Sequence, residues 1–359
     1  MKVSVAQRII LTLLMLPACA SGGRADTVKS TTPIPVPGLK TVVLSPANFT
    51  DDTRSYDLTV EAIYTNLRNL KIEVVDSHQL RPILRRHRIR SAGRIAPADA
   101  AIIKQETGSD LLLTGSVDFC RRGENPEFGL SLRLVSPNDM IVCSAVSHAA
   151  TAGGYGLFGT GRIGNADSLT VKVVAQAVTE LYAPLLWPEA VIVDSSSPRI
   201  VVLPFENIAD NRQAGFIVAN SMLAELVDRG FSVLEPGAAY EQTVSLGFPV
   251  GAIDYQQLAR LHQTLQVDFV ITGQVDRFTS ARGGSPSSKP EFGFGARMID
   301  AASGRILAVH SAELDGAETE VAFGLGRCYT LGGLLRRAFK DTMKRFQSRI
   351  IENEHKQTP

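Results

Sequence analysis

Three glycines near the middle of the chain have the spacing of a phosphate-binding loop. Gly154, Gly156 and Gly159 fit the pattern G-x-G-x-x-G between a predicted strand and a predicted helix. Backbone amides at such a turn can hold an anion at the start of the helix, which makes the segment a candidate nucleotide site. The alternative, a structural loop, is favoured because no convincing ribose-binding acid follows at the usual distance and only a Phe-Gly-x-Gly-Arg part recurs later in the chain.

The densest group of charges is an arginine cluster that forms a candidate docking surface. Its members are Arg81, Arg85, Arg86, Arg88, Arg90 and Arg94, with His87 among them. Such a cluster can steer and hold an acidic protein partner, lipid headgroups or an anionic envelope polymer. The alternative is a solvated helix face without a partner.

Two further arginines, Arg133 and Arg297, occupy equivalent positions in two similar strand patterns. One interpretation is an ion pair, or hydrogen bonds to the end of a neighbouring helix. The other is a ligand contact that both strands share. The two residues are therefore candidate strand contacts.

No sequence motif announces a reaction. The chain has no G-x-S-x-G, H-E-x-x-H, Walker or C-x-x-C pattern, and its six histidines are scattered. We therefore expect a non-enzymatic protein without a metal or a cofactor, and a hydrolase stays a distant alternative because triads assemble from distant residues. The net charge of +1 predicts no strong electrostatic partner overall, and we expect no nucleic acid.

The elements that position these residues occur twice. Matching landmarks recur about 160 residues apart, namely Val42 to Pro46 with Val201 to Pro204, Asp110 to Asp118 with Asp268 to Asp276, and Pro126 to Gly129 with Pro290 to Gly293. The length also favours two domains. We predict a first repeat at residues 39–188, a linker at 189–198, a second repeat at 199–351 and a tail at 352–359.

Each repeat predicts the order β-α-β-α-β-β-β-α. Uninterrupted Val and Leu runs indicate strands covered on both faces, and a change to a period of two indicates an antiparallel meander. The fold class is therefore α/β in the mixed α+β sense, with two tandem mixed sheets covered by helices. The middle meander strand alternates between two sets of residues. Phe128, Leu130, Leu132 and Leu134 lie on one face, and Gly129, Ser131 and Arg133 lie on the other, which predicts a half-buried sheet face.

The N-terminus predicts export. Lys2 and Arg8 precede the apolar run at residues 9–16, which is too short to span a bilayer. Leu16 to Cys19 resembles a bacterial lipobox, so residues 1–18 form a predicted signal peptide and residues 19–38 a lipid anchor and Pro-rich tether. Cleavage after Ala20 is the alternative. Lipidated Cys19 implies the periplasmic face of the outer membrane, and the alternative implies a soluble periplasmic protein.

The other cysteines are predicted to be small buried hydrophobes. Cys120, Cys143 and Cys328 each have an apolar counterpart in the other repeat. Export also permits a disulfide between Cys120 and Cys143, which stays the alternative.

Arg199 to Asn207, Val270 to Val275 and Arg297 to Leu307 together resemble the periplasmic α/β domain of CsgG-type lipoproteins. Similar domains occur in LpoB, in FlgO and in the N-terminal part of TolB. The first repeat matches less well, because Ser136 to Asp139 replaces the Asp…Ser-Gly turn. The resemblance implies a non-enzymatic envelope lipoprotein that acts as an adaptor or assembly factor for an envelope or surface structure.

That function implies a protein partner in the envelope, a membrane contact through the N-terminal lipid, and possible oligomers. One alternative is a periplasmic binding module for an envelope polymer or small molecule, held in the cleft between the repeats. Another is a part of a CsgG-like secretion assembly, although no additional pair of membrane-crossing strands is visible in the sequence.

Overall fold

The computed structural model describes residues 38–90, 92–123, 125–152, 163–186, 197–244, 253–281, 289–318 and 327–357, with the backbone alone at 242–244 and 351–357. The linker at 189–198 lies mostly outside these residues, as do the signal peptide and nearly all of the tether. Both repeats lie in one compact unit.

The first repeat contains six strands and four helices in its described part. They are β1 (Lys40–Val43), β2 (Ala47–Asn48), α1 (Thr53–Asn69), β3 (Glu73–Val74), α2 (Ser77–Arg86), α3 (Pro97–Thr107), β4 (Leu111–Arg121), β5 (Glu127–Val135), β6 (Val142–Thr151) and α4 (Ala166–Leu186).

The second repeat follows the same order. Its described elements are β7 (Arg199–Val202), β8 (Glu206–Asn207), α5 (Ala214–Asp228), β9 (Ser232–Val233), α6 (Pro236–Val244), α7 (Tyr255–Leu265), β10 (Phe269–Thr279), β11 (Glu291–Asp300), β12 (Ile306–Asp315) and α8 (Leu331–Gln357). The predicted fold class is confirmed. In each repeat the sequence missed one two-residue strand and the division of the second helical segment into two helices.

The two sheets have equivalent topologies. The first runs β3-β1-β4-β5-β6 and the second β9-β7-β10-β11-β12, with the short strands β2 and β8 added beside β4 and β10. The opening strands pair in parallel, whereas the three long strands of each repeat form an antiparallel meander. Both sheets are therefore mixed, as the change of sequence period predicted.

Local chemistry explains where the helices begin and end. The side chain of Asp52 accepts a hydrogen bond from the Ser55 amide at the start of α1, and Asp76 does the same at the start of α2. Asp254 and Gln257 form a reciprocal capping box before α7. Helix α3 ends at Gly108, whose φ of 66° is the left-handed conformation that glycine adopts without strain.

Helices and sheets alternate in layers. Helices α1 and α4 pack on one face of the first sheet, while α5 and α8 lie between the first sheet and the second. Among the described helices, α4 is long and apolar enough to cross a membrane, but half of that segment is buried inside the protein. Its buried side packs on the first sheet.

The expectation of a half-buried face on β5 is wrong. Every residue of Glu127–Val135 is buried, including Ser131 and Arg133 on the side that alternation assigned to solvent. The reason is that the second repeat covers this side, which we call the outer face of the first sheet. The equivalent side of the second sheet, with Gly293, Gly295 and Arg297, is its outer face.

Candidate docking surfaces

The arginine cluster forms an exposed surface on α2 and the segment that follows it. Five side chains are exposed there and define the arginine surface: Arg81, Arg85, Arg86, Arg88 and Arg90. The apolar side of α2 is anchored by buried Leu80 and Ile83. The helix presents its basic residues to solvent because its other side belongs to the core.

Most of this surface has no counter-charge. Arg86 Nη1 lies 3.2 Å from Glu106 Oε1, and His87 Nε2 lies 3.1 Å from the same oxygen. Within the described part of the chain, no carboxylate forms an ion pair with the other four arginines. An exposed guanidinium offers a planar fork of donors that fits a carboxylate or a phosphate in a bidentate manner.

Arg94 does not belong to this surface, which corrects the six-residue prediction. Its guanidinium lies between two aromatic rings of the second repeat, 4.1 Å from the centroid of Tyr240 and 4.9 Å from that of Phe216. Burial lowers the pKa of Arg94. The side chain therefore joins the two repeats by cation–π contacts and is not available for docking.

Arg133 forms a buried ion pair across the repeat junction. Its Nε donates to Glu235 Oε2 at 2.6 Å, and its Nη2 donates to Glu235 Oε1 at 2.8 Å and to the Gly93 carbonyl at 2.7 Å. Arg133 is 2% exposed and Glu235 is fully buried. Since Glu235 directly precedes α6, the contact of Arg133 is an ion pair beside a helix end, and its partner comes from the other repeat.

Arg297 lacks the equivalent partner. It faces Thr272 and Val309 across the neighbouring strands, as Arg133 faces Thr114 and Ala145. Its Nε is buried and has no hydrogen-bond partner within the described residues. The two arginines are thus equivalent in position but not in contact, so a shared ligand contact does not follow from the geometry.

Small polar side chains fill the rest of the outer face of the first sheet. Ser116 and Ser131 donate to the two oxygens of Asp118 at 2.5 and 2.6 Å. From α5, the Asn220 amide donates to Ser116 at 3.0 Å, and Ser221 lies 3.0 Å from Ser147. Burial raises the pKa of Asp118 to about 7, against a smaller opposite effect of the two serine hydrogen bonds and Arg133.

A cleft of about 710 Å³ lies beside this polar layer, and both repeats line it. Asp118, Phe119 and Cys120 contribute from β4, whereas Asn211 and Ser280 contribute from the second repeat. At its rim Arg122 binds Asp52 and Asp167, and the bond to Arg122 lowers the pKa of Asp52 to about 2. The cleft therefore contains the paired charges of Arg122, Asp52 and Asp167 at its rim, and the Asp118 carboxyl group, whose pKa is about 7, in its lining.

The described cysteines are free thiols, and each is half-buried. The disulfide alternative for Cys120 and Cys143 is therefore wrong in this structure. Burial raises the pKa of all three thiols, Cys120, Cys143 and Cys328, which keeps them protonated at neutral pH. Within the described residues, no three His, Cys, Asp or Glu side chains come together as a metal site would require.

Two predicted features lie outside the described residues. Cys19 belongs to the N-terminal segment, and Gly154, Gly156 and Gly159 belong to residues 153–162. Their interpretations stay predictions. Glu235, which lies just after β9, and Asp118, which lies on β4, were not among the site residues that the sequence predicted. An acid next to a buried apolar run was the available signal.

No protein-family model matches the chain, and no curated protein matches it. Among solved structures, lipoprotein GNA1162 from Neisseria meningitidis is 20% identical over 41% of this chain and 98% of its own, with a TM-score of 0.31. A dodecameric PelC from Paraburkholderia phytofirmans is 18% identical over 42% and 94%, with a TM-score of 0.29. The C-terminal domain of LpoB from Salmonella enterica is 10% identical over 34% and 86%, with a TM-score of 0.24. No family membership follows from these likenesses.

Proposed function

We propose that the chain is a non-enzymatic, outer-membrane-anchored periplasmic lipoprotein that acts as an adaptor or assembly factor for an envelope or surface structure. It docks an acidic protein partner through the arginine surface. The observation that carries the proposal is that four of the five arginines there have no counter-charge among the described residues.

The arginine surface belongs to one repeat only. The position of Arg81 is taken in the second repeat by Tyr240, which is half-buried against Arg94. The second repeat uses this helix to join the repeats, whereas the first repeat leaves it in solvent with a positive charge. A face that is exposed and basic is suited to electrostatic steering of an acidic partner.

The surface is tested by replacing Arg85, Arg86 and Arg88 with Gln in the full chain. We expect at least a tenfold loss of the envelope protein that co-purifies with the wild type, since each lost charge-assisted hydrogen bond contributes about 1 kcal/mol or more. The matched control replaces three exposed arginines of the second repeat, Arg212, Arg260 and Arg305, with Gln. If both triple variants retain the same amount of the co-purifying envelope protein, the arginine surface is not the docking site.

The anchor is tested independently with Cys19→Ser. A lipid on Cys19 holds the wild type in the outer-membrane fraction, so the variant should move to the soluble periplasmic fraction or stay in the inner membrane as the uncleaved precursor. If the variant fractionates with the outer membrane as the wild type does, the anchored location is wrong.

The cleft between the repeats supports a second candidate, a binding module for an envelope polymer or small molecule. Its volume of about 710 Å³ lies within the range of small-molecule sites, and Asp118 and Phe119 contribute a polar and an aromatic group to it. Co-purification separates the two functions, because an adaptor retains a stoichiometric protein and a binding module retains a glycan or small molecule.

A further inference from the structure

The outer faces of the two sheets are equivalent in backbone, but the described residues cover only the first of them. The same strand pairing places Arg133 on the first sheet where Arg297 lies on the second. Helix α5 and the carboxylate of Glu235 cover the first face. The first face therefore shows what kind of structure fits on the second.

Apolar side chains mark the second face at positions whose counterparts on the first face pack against the core between the repeats. Phe49, Val142 and Ala145 pack in the core between the repeats, with Phe49 stacked on Phe216 of α5 at 5.9 Å. Their counterparts are Ile208, Ile306 and Val309, whose exposed fractions are 62%, 55% and 61%. Exposed apolar residues scattered singly need no explanation, but three at equivalent interface positions indicate a contact surface.

Arg297 adds a charge requirement to this surface. Its buried Nε has no hydrogen-bond partner within the described residues, whereas Arg133 Nε is bonded to Glu235. Arg297 is only half-buried, so an incoming carboxylate can pair with its guanidinium as Glu235 pairs with that of Arg133. The surface therefore fits a partner that brings both an apolar helix and an acidic side chain.

A second copy of this chain does not fit in the same way. At two positions where the second repeat contacts the first, it has glycine. A Cβ at Gly237 would lie 2.2 Å from the Ile95 carbonyl oxygen, and a Cβ at Gly332 would lie 2.4 Å from Ala149 Cβ. The first repeat has His78 and Asp167 at the corresponding positions. These side chains would clash, so the first repeat of another copy cannot seat as the second repeat does.

We propose that the outer face of the second sheet is a docking surface for a different protein. Its residues are Ile208, Ile306, Val309, Gly295 and Arg297. The partner presents a helix with small and apolar side chains, as α5 does, and a carboxylate that pairs with Arg297, as Glu235 pairs with Arg133. This surface is separate from the arginine surface on α2 and does not depend on the proposed function.

The test places a photo-crosslinking amino acid at Val309 of the full chain in cells that produce it. We expect an adduct with another protein, in which the cross-linked peptide belongs to an apolar helix with an Asp or Glu close by in sequence. Arg297→Glu should lower the adduct yield at least tenfold and Arg297→Gln by less, because reversal of the charge repels the carboxylate. The matched control carries the photo-crosslinker at Val171 on α4, which is 43% exposed.

Several outcomes would overturn the proposal. They are an adduct whose peptide belongs to this chain, an adduct with a segment that lacks the helix or the carboxylate, no adduct, and a yield that Arg297→Glu leaves unchanged. Thermal unfolding of each variant verifies that the chain is folded. A failure here leaves the Arg85, Arg86 and Arg88 test unaffected, since those residues lie on the other repeat.

Discussion

At the scale of single residues, the duplication gave one arginine two different environments. Arg133 is buried and fully bonded to Glu235, whereas Arg297 is half-buried with a free Nε. Breaking a buried ion pair by removal of one partner leaves the other charge buried and unpaired, which is more costly than losing an exposed charge. The same substitution at the two positions should therefore differ in cost.

We expect Arg133→Met to lower the free energy of unfolding by about 3–5 kcal/mol, since it leaves the Glu235 carboxylate without its counter-charge. Arg297→Met is the matched control and should cost about 1 kcal/mol or less, because no ion pair is lost there. Chemical denaturation of both variants measures the difference. Similar losses of unfolding free energy at the two positions would show that the buried ion pair of Arg133 and Glu235 adds no stability beyond that of an unpaired arginine.

Asp118 predicts a pH dependence of stability. Its carboxyl has a pKa near 3.8 when unfolded and about 7 when folded, so between these values the folded chain binds a proton that the unfolded chain does not. Stability from this group is full below pH 3.8 and is lost as the pH rises towards 7. An Asn side chain does not ionise, so the Asp118→Asn variant should not lose this stability as the pH rises.

The measurement compares the unfolding free energies of Asp118→Asn and the wild type at pH 5 and pH 8. Relative to the wild type, the variant should gain on the order of 2 kcal/mol between the two pH values. A constant difference would mean that Asp118 is ionised throughout.

The sequence could predict that Arg133 pairs, but not with which residue. Glu235 lies 102 positions away in the other repeat. No spacing rule connects a strand residue of one repeat to a residue before a helix of the next. The prediction that Arg94 belongs to the arginine surface was wrong for the same reason. Its neighbours in sequence are basic, but its neighbours in space are Phe216 and Tyr240.

At the scale of elements, equivalent helices differ in how many sides they bury. Helix α1 buries five residues on one side, whereas α5 buries ten of its fifteen residues because both sheets contact it. A helix that is apolar all round indicates burial on all sides. That composition of Ala214–Asp228 was visible in the sequence, and it is the one local signal of the contact between the repeats.

Helix α6 approaches the first repeat through a glycine. Gly237→Ala would bring a Cβ to 2.2 Å from the Ile95 carbonyl oxygen, which forces the backbone apart. We expect a loss of about 1–3 kcal/mol in thermal or chemical unfolding. Gly295→Ala is the control, since a Cβ there meets nothing within 4 Å and should change stability by about 0.5 kcal/mol or less.

At the scale of the molecule, the two repeats share a core. One cluster of buried residues joins Val42 and Leu112 of the first repeat to Ile217 and Met222 of the second. Without the second repeat, the first sheet would lose the helix that covers its outer face, and α5 would lose its contacts with the first sheet if the first repeat were absent. We therefore expect a single calorimetric transition, with equal calorimetric and van't Hoff enthalpies.

Core variants in each repeat test whether both repeats unfold in this single transition. Leu132→Ala in the first repeat and Phe294→Ala in the second each remove a side chain that is 1% exposed, at a cost of about 2–5 kcal/mol. Both should shift the whole transition to lower temperature. A transition that splits in two, with each variant moving a different part, would show that the repeats unfold separately.

The duplication predicted two equivalent sheets, because strand periods and turn residues act within each repeat. It did not predict the layered contact, because a polar alternation such as Gly129, Ser131 and Arg133 fits a solvated face equally well. Hydrogen bonds from Asn220 and Ser221 satisfy that face instead. Polarity alone does not separate water from a polar partner.

The turn between β5 and β6 is where the first repeat departs from the second, because Ser136 to Asp139 stands where the second repeat has Asp300 to Gly304. Met140 there has a φ of 61°, its carbonyl accepts a hydrogen bond from the Glu235 amide at 2.8 Å, and Ile141 bridges Leu234. The turn thus caps β9, the edge strand of the second sheet. Unpaired edge strands recruit strands from other molecules and start aggregation. Because this turn pairs with the residues that directly follow β9, we expect it to limit edge-to-edge association at that end of the second sheet.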